Sequence, residues 1–345
     1  MKLHQGIQRV LLIGVRLKIP RPPQPFNPPR RLLPLIETLA PAHLKFDARA
    51  LLYGDRYRSG FWAIYLLSAL AVLCAMLPLA LGWDNKLHLQ HPFARLWAFT
   101  EVLIIGTVST IYWLGHRRDW QGQWLRARTT AELIWYLPLV APLLDFTEPA
   151  TSANWYMRVF DPGNHLRSGD DFEAICNQTE PLARSLLDEA WTEEAFVAEY
   201  ALWTVGVLET QRHYHQRVAL RQHALLHRVH SVNIGLFGLT ALCALLHLVL
   251  HTIWLSLITT FFPALGASLH GALAQSEAYR LGSTSERLEA ELQRAISDIR
   301  AALASHVAAP DPGPIKDSVQ SAIELILEEH QDWHMLVRPH HLPLA

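Results

Sequence analysis

Residues 61–82 read FWAIYLLSALAVLCAMLPLALG, twenty-two positions without a charged side chain. At 1.5 Å per residue a helix of that length crosses a hydrocarbon layer of about 30 Å. Trp62, Tyr65 and Trp83 stand near its two ends, where aromatic side chains favour the interface between lipid and water. The stretch therefore predicts a transmembrane helix, and with it an all-α integral membrane protein. A polar loop then leads to residues 97–115, WAFTEVLIIGTVSTIYWLG, a second and weaker span that carries Glu101, Thr107, Ser109 and Thr110. Such polar groups are costly against lipid, so they mark a candidate pore-lining or polar membrane site.

A second block poor in charge covers residues 231–274. As one helix it would be about 66 Å long, so it must turn back, and the turn is placed between His247 and Thr252. Pro263 and Gly266 would kink or thin the fourth span where another helix approaches. The chain thus divides into a Pro-rich, poorly ordered segment 1–42, an entry helix and first transmembrane hairpin 43–115, a helical domain 116–230, a second hairpin 231–274, a helical stalk 275–308 and a tail 309–345. The run RVLLIGV at residues 9–15 is too short to span and fits one strand or a surface anchor. In the entry helix, from His43, the apolar side is Leu44, Ala48, Leu51 and Leu52.

Orientation follows from the basic residues. Eleven Lys and Arg precede residue 61, two lie between the first two spans, eleven lie in 116–230 and six follow residue 274. Arg56, Arg58, Arg117, Arg118 and Arg228 flank the spans on one side. The positive-inside rule then places both termini and residues 116–230 in the cytoplasm of a multi-pass inner-membrane protein. In the domain 116–230, Phe196, Tyr200, Trp203, Val207, Tyr214 and Val218 recur at helical spacing, and that helix runs on into the third span. In the stalk, Leu281, Leu288, Leu292, Ala295, Ile299 and Ala302 form an a/d seam that predicts a coiled coil and a homo-oligomer.

The formal net charge is −1, and no basic cluster is interleaved with aromatics, which excludes nucleic acid as a partner. Three cysteines, Cys74, Cys176 and Cys243, stand far apart without metal-ligand spacing. Cys74 and Cys243 read as packing residues and Cys176 as an ordinary thiol. Histidine is abundant, with nineteen copies. His223, His227 and His230 share one helix face, which suits zinc ligation, pH sensing or a simple interfacial role. His247 and His251 suit a ligand site or a turn at the outer surface. Arg128 and Glu132 are spaced for a helix-face ion pair. No nucleotide loop, nucleophile elbow or zinc-protease motif occurs, so the chain is expected to be no enzyme and to carry no cofactor.

Four pieces together resemble the SLATT-type effectors of prokaryotic conflict systems: DRYRSGFWAIYLLSALAVL at 55–73, WLRARTTAELIW at 124–135, TQRHYH at 210–215 and FPALGASLHGALAQSEAYRL at 262–281. The resemblance covers most of residues 47–295. It implies a non-enzymatic, membrane-perturbing or pore-forming effector in antiviral defence, triggered by a nucleotide sensor. Residues 1–42 are too short and too rich in proline for such a sensor, so either a separate nucleotide-sensing protein is implied or RVLLIGV is a remnant of one. A channel or transporter subunit of ordinary physiology, or a membrane-anchored scaffold, are the alternatives that composition leaves open.

Overall fold

The computed structural model describes residues 2–15, 17, 23, 26–83, 92–144, 170–187, 189–308 and 311–337. Nine α-helices and three short 3-10 turns make up the described elements, and no strand occurs among these residues. In chain order the helices are α1 (Leu3–Leu11), α2 (Leu33–Ala80), α3 (Pro92–Arg117), α4 (Trp120–Val140), α5 (Asp170–Leu187), α6 (Glu194–His247), α7 (Ile253–Gln275), α8 (Ala278–Ala308) and α9 (Gly313–Val337). Four helices are long and apolar enough to cross a membrane, and they contain the four apolar segments that the sequence singles out. This is compatible with a multi-pass membrane protein. The break between α6 and α7 falls where the turn was placed, and α6 runs unbroken through residue 230.

The architecture is one arrangement made twice. In the first unit α2 pairs antiparallel with α3 and then α4. Trp83 stacks on Phe93 at 5.6 Å, a Cβ on Gly54 would touch Trp124 at 2.9 Å, Arg128 lies 3.9 Å from Asp47, and His43 meets Trp135 at 5.1 Å. In the second unit α6 pairs in the same way with α7 and then α8. A Cβ on Gly266 would lie 3.3 Å from Asn233, His215 bonds Ser285 at 3.3 Å, and Arg300 pairs with Glu209 at 2.5 Å. Each return arm is interrupted once, by an acidic residue in the left-handed region: Asp119 at φ 45° and Glu277 at φ 52°. Asp119 accepts from the Gly122 amide at 3.1 Å and pairs with Arg126 at 2.8 Å, which caps α4 and offsets the strain of its backbone.

Away from the apolar segments the helices share a single core. It takes Leu35 and Phe46 from α2, Ile134 and Leu137 from α4, Phe172 and Cys176 from α5, Phe196 and Tyr200 from α6, Leu292 and Ile299 from α8 and Ile323 from α9. Two buried polar groups in it bond the backbone: Tyr200 donates to the Leu139 carbonyl at 2.5 Å and Trp191 to that of Pro142 at 2.6 Å. Because this core draws on residues before 116 and after 230, the middle segment is no separate domain.

Four expectations are corrected by these contacts. Residues 3–11 form a helix, and α2 begins at Leu33 rather than His43, since Pro34 sits in the first turn, where its missing donor costs nothing. The side of α2 that is buried is Leu35, Leu39, Phe46, Ala50, Gly54 and Tyr57, whereas Leu44, Leu51 and Leu52 are exposed. Cys176 is no ordinary thiol, because complete burial raises its pKa and keeps it protonated. The seam of residues 275–308 is no free stalk: Leu288, Leu292, Ile299 and Ala302 are buried within the chain, in the core that α6 and α9 share. Its apolar positions are therefore closed to a second copy.

Leu292 is 0% exposed, so Leu292→Ala is expected to lower stability by about 2–5 kcal/mol. Thermal unfolding in detergent checks this. Because the seam is internal, the mass of the detergent complex is expected to stay the same; a fall in mass with no loss of stability would show the seam working between copies.

Candidate functional site

The two units meet where the apolar segments begin, and that junction is the most elaborate local chemistry in the molecule. Its core is Tyr57, Phe61, Trp62 and Ile64 of α2, Leu225 and Val229 of α6, Leu269, Ala272 and Leu273 of α7 and Ala278 of α8. Two close approaches set its shape. Gly54 leaves room for the Trp124 indole, over which the Arg58 guanidinium lies at 5.3 Å from the ring centre while its Nε donates to the Gly54 carbonyl at 3.1 Å. Gly271 lets α7 approach α2, since a Cβ there would meet the Tyr65 ring at 2.5 Å. Gln275 Nε2 then donates to the Tyr57 hydroxyl at 2.9 Å.

Helix α1 lies across this junction and contacts both long helices. Its apolar residues Ile7 and Leu11 pack on the junction core. Its polar residues reach outward to each side: Arg221 of α6 donates to Gln8 at 2.6 Å, and His4 bonds Ser59 of α2 at 3.3 Å, with its other ring nitrogen 3.9 Å from Asp55. His4 is 4% exposed. Burial first, and then the positive charge of Arg58, lower its pKa from 6.5 to about 4, against the pull of Asp55. His215, buried against Ser285, is likewise lowered to about 4 by burial, opposed by Glu132.

The residues singled out from the sequence are placed elsewhere and apart from one another. Glu101 is half-buried on the side of α3 that carries Ile104 and Val108, whereas Thr107, Ser109 and Thr110 are exposed. Thr107 and Thr110 satisfy their hydroxyls on their own helix, donating to the carbonyls of Leu103 and Gly106 at 2.7 Å. His223, His227 and His230 are exposed along α6, and His223 stands 3.4 Å from Glu286 of α8. Among the described residues no group of three or more His, Cys, Asp or Glu side chains is arranged to hold a metal ion. His247 and His251 stand with ring centres 6.1 Å apart. Arg128 pairs with Glu132, as the spacing predicts.

Sequence reasoning missed the junction because its parts are distant in the chain and weak one by one. The signal available was Gly54 in the amphipathic stretch of the entry helix, together with His4 just ahead of the apolar run at residues 9–15. No protein-family model, curated protein or solved structure matches the chain.

The chemistry suits a pH-dependent latch. A histidine whose folded pKa lies below its unfolded value stabilises the docked state fully above pH 6.5, and that contribution is lost as pH falls toward 4. Hydrogen exchange at residues 3–11, corrected for the intrinsic rate, is therefore expected to quicken between pH 6.5 and 4. His4→Gln, which stays neutral, is expected to remove that dependence. Equal pH dependence in both proteins would free His4 of the role.

Proposed function

We propose that the protein is a non-enzymatic membrane effector similar to the SLATT-type proteins of prokaryotic conflict systems, which responds to a signal by perturbing or opening the inner membrane. In this reading α2 with α3, and α6 with α7, form two transmembrane hairpins. Both termini and residues 116–230 lie in the cytoplasm, as the Lys and Arg flanking the spans favour.

One observation carries the reading. Helices α2 and α6 pass without interruption from the shared polar-side core into the apolar segments. A rigid helix transmits tilt along its whole length, so a change in the packing of Phe46 or Tyr200 moves Phe61 or Asn233. A protein that only held a partner at the membrane would gain nothing from such levers, because a flexible linker would serve it equally.

The face of α2 bearing Leu44, Leu51 and Leu52 supports a separate sensor chain as the source of the signal. Leu44 is 64% exposed and Leu51 51%. Both precede the apolar segment, by about 25 and 15 Å of helix, so lipid does not cover them. An exposed apolar stripe in water marks a protein contact.

Controlled overexpression is expected to release a small dye from cells, or ions from loaded vesicles containing the purified protein. Glu101→Gln and Glu101→Leu are expected to reduce the leak at matched abundance, since each removes the one carboxylate of residues 97–115. A reporter active only outside the cytoplasm, fused after Ala345, is expected to stay silent. Dye retention at high abundance of the wild-type protein would overturn the effector reading, and an active reporter would overturn the topology.

A further inference from the structure

The four apolar segments are arranged as a row, not a closed bundle. α3 packs on α2, α2 packs on α7, and α7 packs on α6, while α3 and α6 are neighbours of none of the others across the open side. The row therefore alternates: return arm, long helix, return arm, long helix. Its central contact, α2 on α7, joins the long helix of one unit to the return arm of the next. The same operation applied once more would bring a return arm onto α6, and none is left among the described residues. At the opposite end, α3 is a return arm with no long helix on its outer side.

The outward faces at these two ends match. On α6, Val229, Val232, Asn233, Thr240 and Cys243 turn toward the packed side. Opposite them run Ser231, Ile234, Gly235, Gly238, Leu242 and Leu245, all exposed. A Cβ added to Gly235 or Gly238 would meet nothing within 4 Å. On α3, Ile104, Val108, Ile111 and Gly115 turn toward α2. Opposite them run Phe99, Leu103, Gly106, Thr110 and Trp113, again exposed, with open space around Gly106. Each outer face thus carries small residues in its middle and large apolar ones above and below, the relief that lets two helices approach closely where both neighbours are apolar. The central contact of the row has the same relief, with Gly271 under Tyr65.

The register of the two faces agrees as well. Gly106 precedes the Asp119 elbow by as many residues as Ala264 precedes the Glu277 elbow. Ala264 lies two positions from Gly266, which faces Asn233 and Phe237 of α6. Gly266 is thus level with residue 235, so, counted along antiparallel helices, Gly106 is level with residue 237, between Gly235 and Gly238. Thr110 is then level with residue 233, between Ser231 and Gly235 of the outer face, and Phe99 with residue 244, beside Leu245.

We infer that α3 of one copy docks on α6 of another, with Gly106 between Gly235 and Gly238, so that copies join head to tail and extend the row that each chain begins. The contact is heterologous, so successive copies add in one direction and close into a ring where the rotation permits. This inference rests on the membrane reading above and goes beyond it, since that reading names no surface through which copies meet.

Cysteine cross-linking in native membranes tests it. The native Cys74, Cys176 and Cys243 are buried, and the wild-type protein serves as the blank. Phe99→Cys combined with Leu245→Cys in one chain is expected to give a ladder of dimers, trimers and larger species under mild oxidation, with loss of most of the monomer band. Either substitution alone is expected to give none, because a head-to-tail contact never brings two copies of one position together. Gly235→Ile in the double-cysteine chain is expected to abolish the ladder while the protein remains abundant. Dimers from a single-cysteine chain would show a symmetric interface and overturn the proposal, as would a double-cysteine chain that stays monomeric or a ladder indifferent to Gly235→Ile. Alkaline extraction of the same membranes separates the two failures. Protein that is released sinks the membrane reading itself, whereas protein that is retained without a ladder sinks only the docking.

Discussion

A helix long and apolar enough to cross a membrane has to satisfy its own backbone, and α2 and α6 meet this constraint by running unbroken from the shared core into their apolar segments. With 48 and 54 residues they are about 72 and 81 Å long, more than twice the thickness of a hydrocarbon layer. Each therefore carries two surfaces. One part is amphipathic and buries a stripe against other helices; the other is apolar all round and buries little within the chain. The return arms have no such freedom, because they face the same long helix on both sides of the boundary but with different neighbours. They change direction at a single residue instead.

That residue is acidic in both units, and the reason is physical. Among residues with a side chain, Asp is one of the few enriched in the left-handed region, and its carboxylate can cap the helix that follows. At Asp119 it does so through the Gly122 amide and Arg126. A Cβ at Gly122 would meet the Asp119 carboxylate and push it out of its capping position. Glu277, one methylene longer, has Arg280 at 3.8 Å. The elbows also fall where the chain passes from apolar to mixed composition, so a charged side chain costs little desolvation.

What could be read from the sequence was whatever depends on composition over long windows. The charge-free stretch from Phe61, the weaker one around Glu101 and the long one divided near Leu248 each correspond to a helix of the structure. So does the uninterrupted course of α6, because no proline stands between Glu194 and His247. Partner choice was hidden. A heptad of Leu288, Leu292 and Ile299 states that a helix needs an apolar partner, but it is silent on whether that partner is another copy or α6 of the same chain. Likewise Leu44, Leu51 and Leu52 mark an apolar side of α2, yet Phe46, Ala50 and Tyr57 form another, and only the position of α4 decides which is covered. The N-terminal helix was obscured by the prolines that follow it, and with it the junction at His4.

The two units use different chemistry at equivalent places next to the elbows, and this sets how each resists distortion. In the first, the bulky residue is on the return arm: Trp124 fills the gap at Gly54 and is flanked by Tyr57, with ring centres 5.7 Å apart, and by Arg58. In the second the relief is inverted, with Gly282 on the return arm opposite His223 and Gln222 at ordinary contact distance. The first turns of α8 are then joined to α6 by polar contacts, His215 to Ser285 and His223 to Glu286. Aromatic packing is indifferent to salt and to pH, whereas exposed ion pairs contribute at most about 1 kcal/mol each and are screened. The first junction thus holds α2 and α4 as one body. The second joins the first turns of α8 to α6 by a buried polar contact and an exposed ion pair, and leaves apolar burial to Leu288, Leu292 and Ile299 farther along α8, so the two elbows are secured at different distances from the apolar segments.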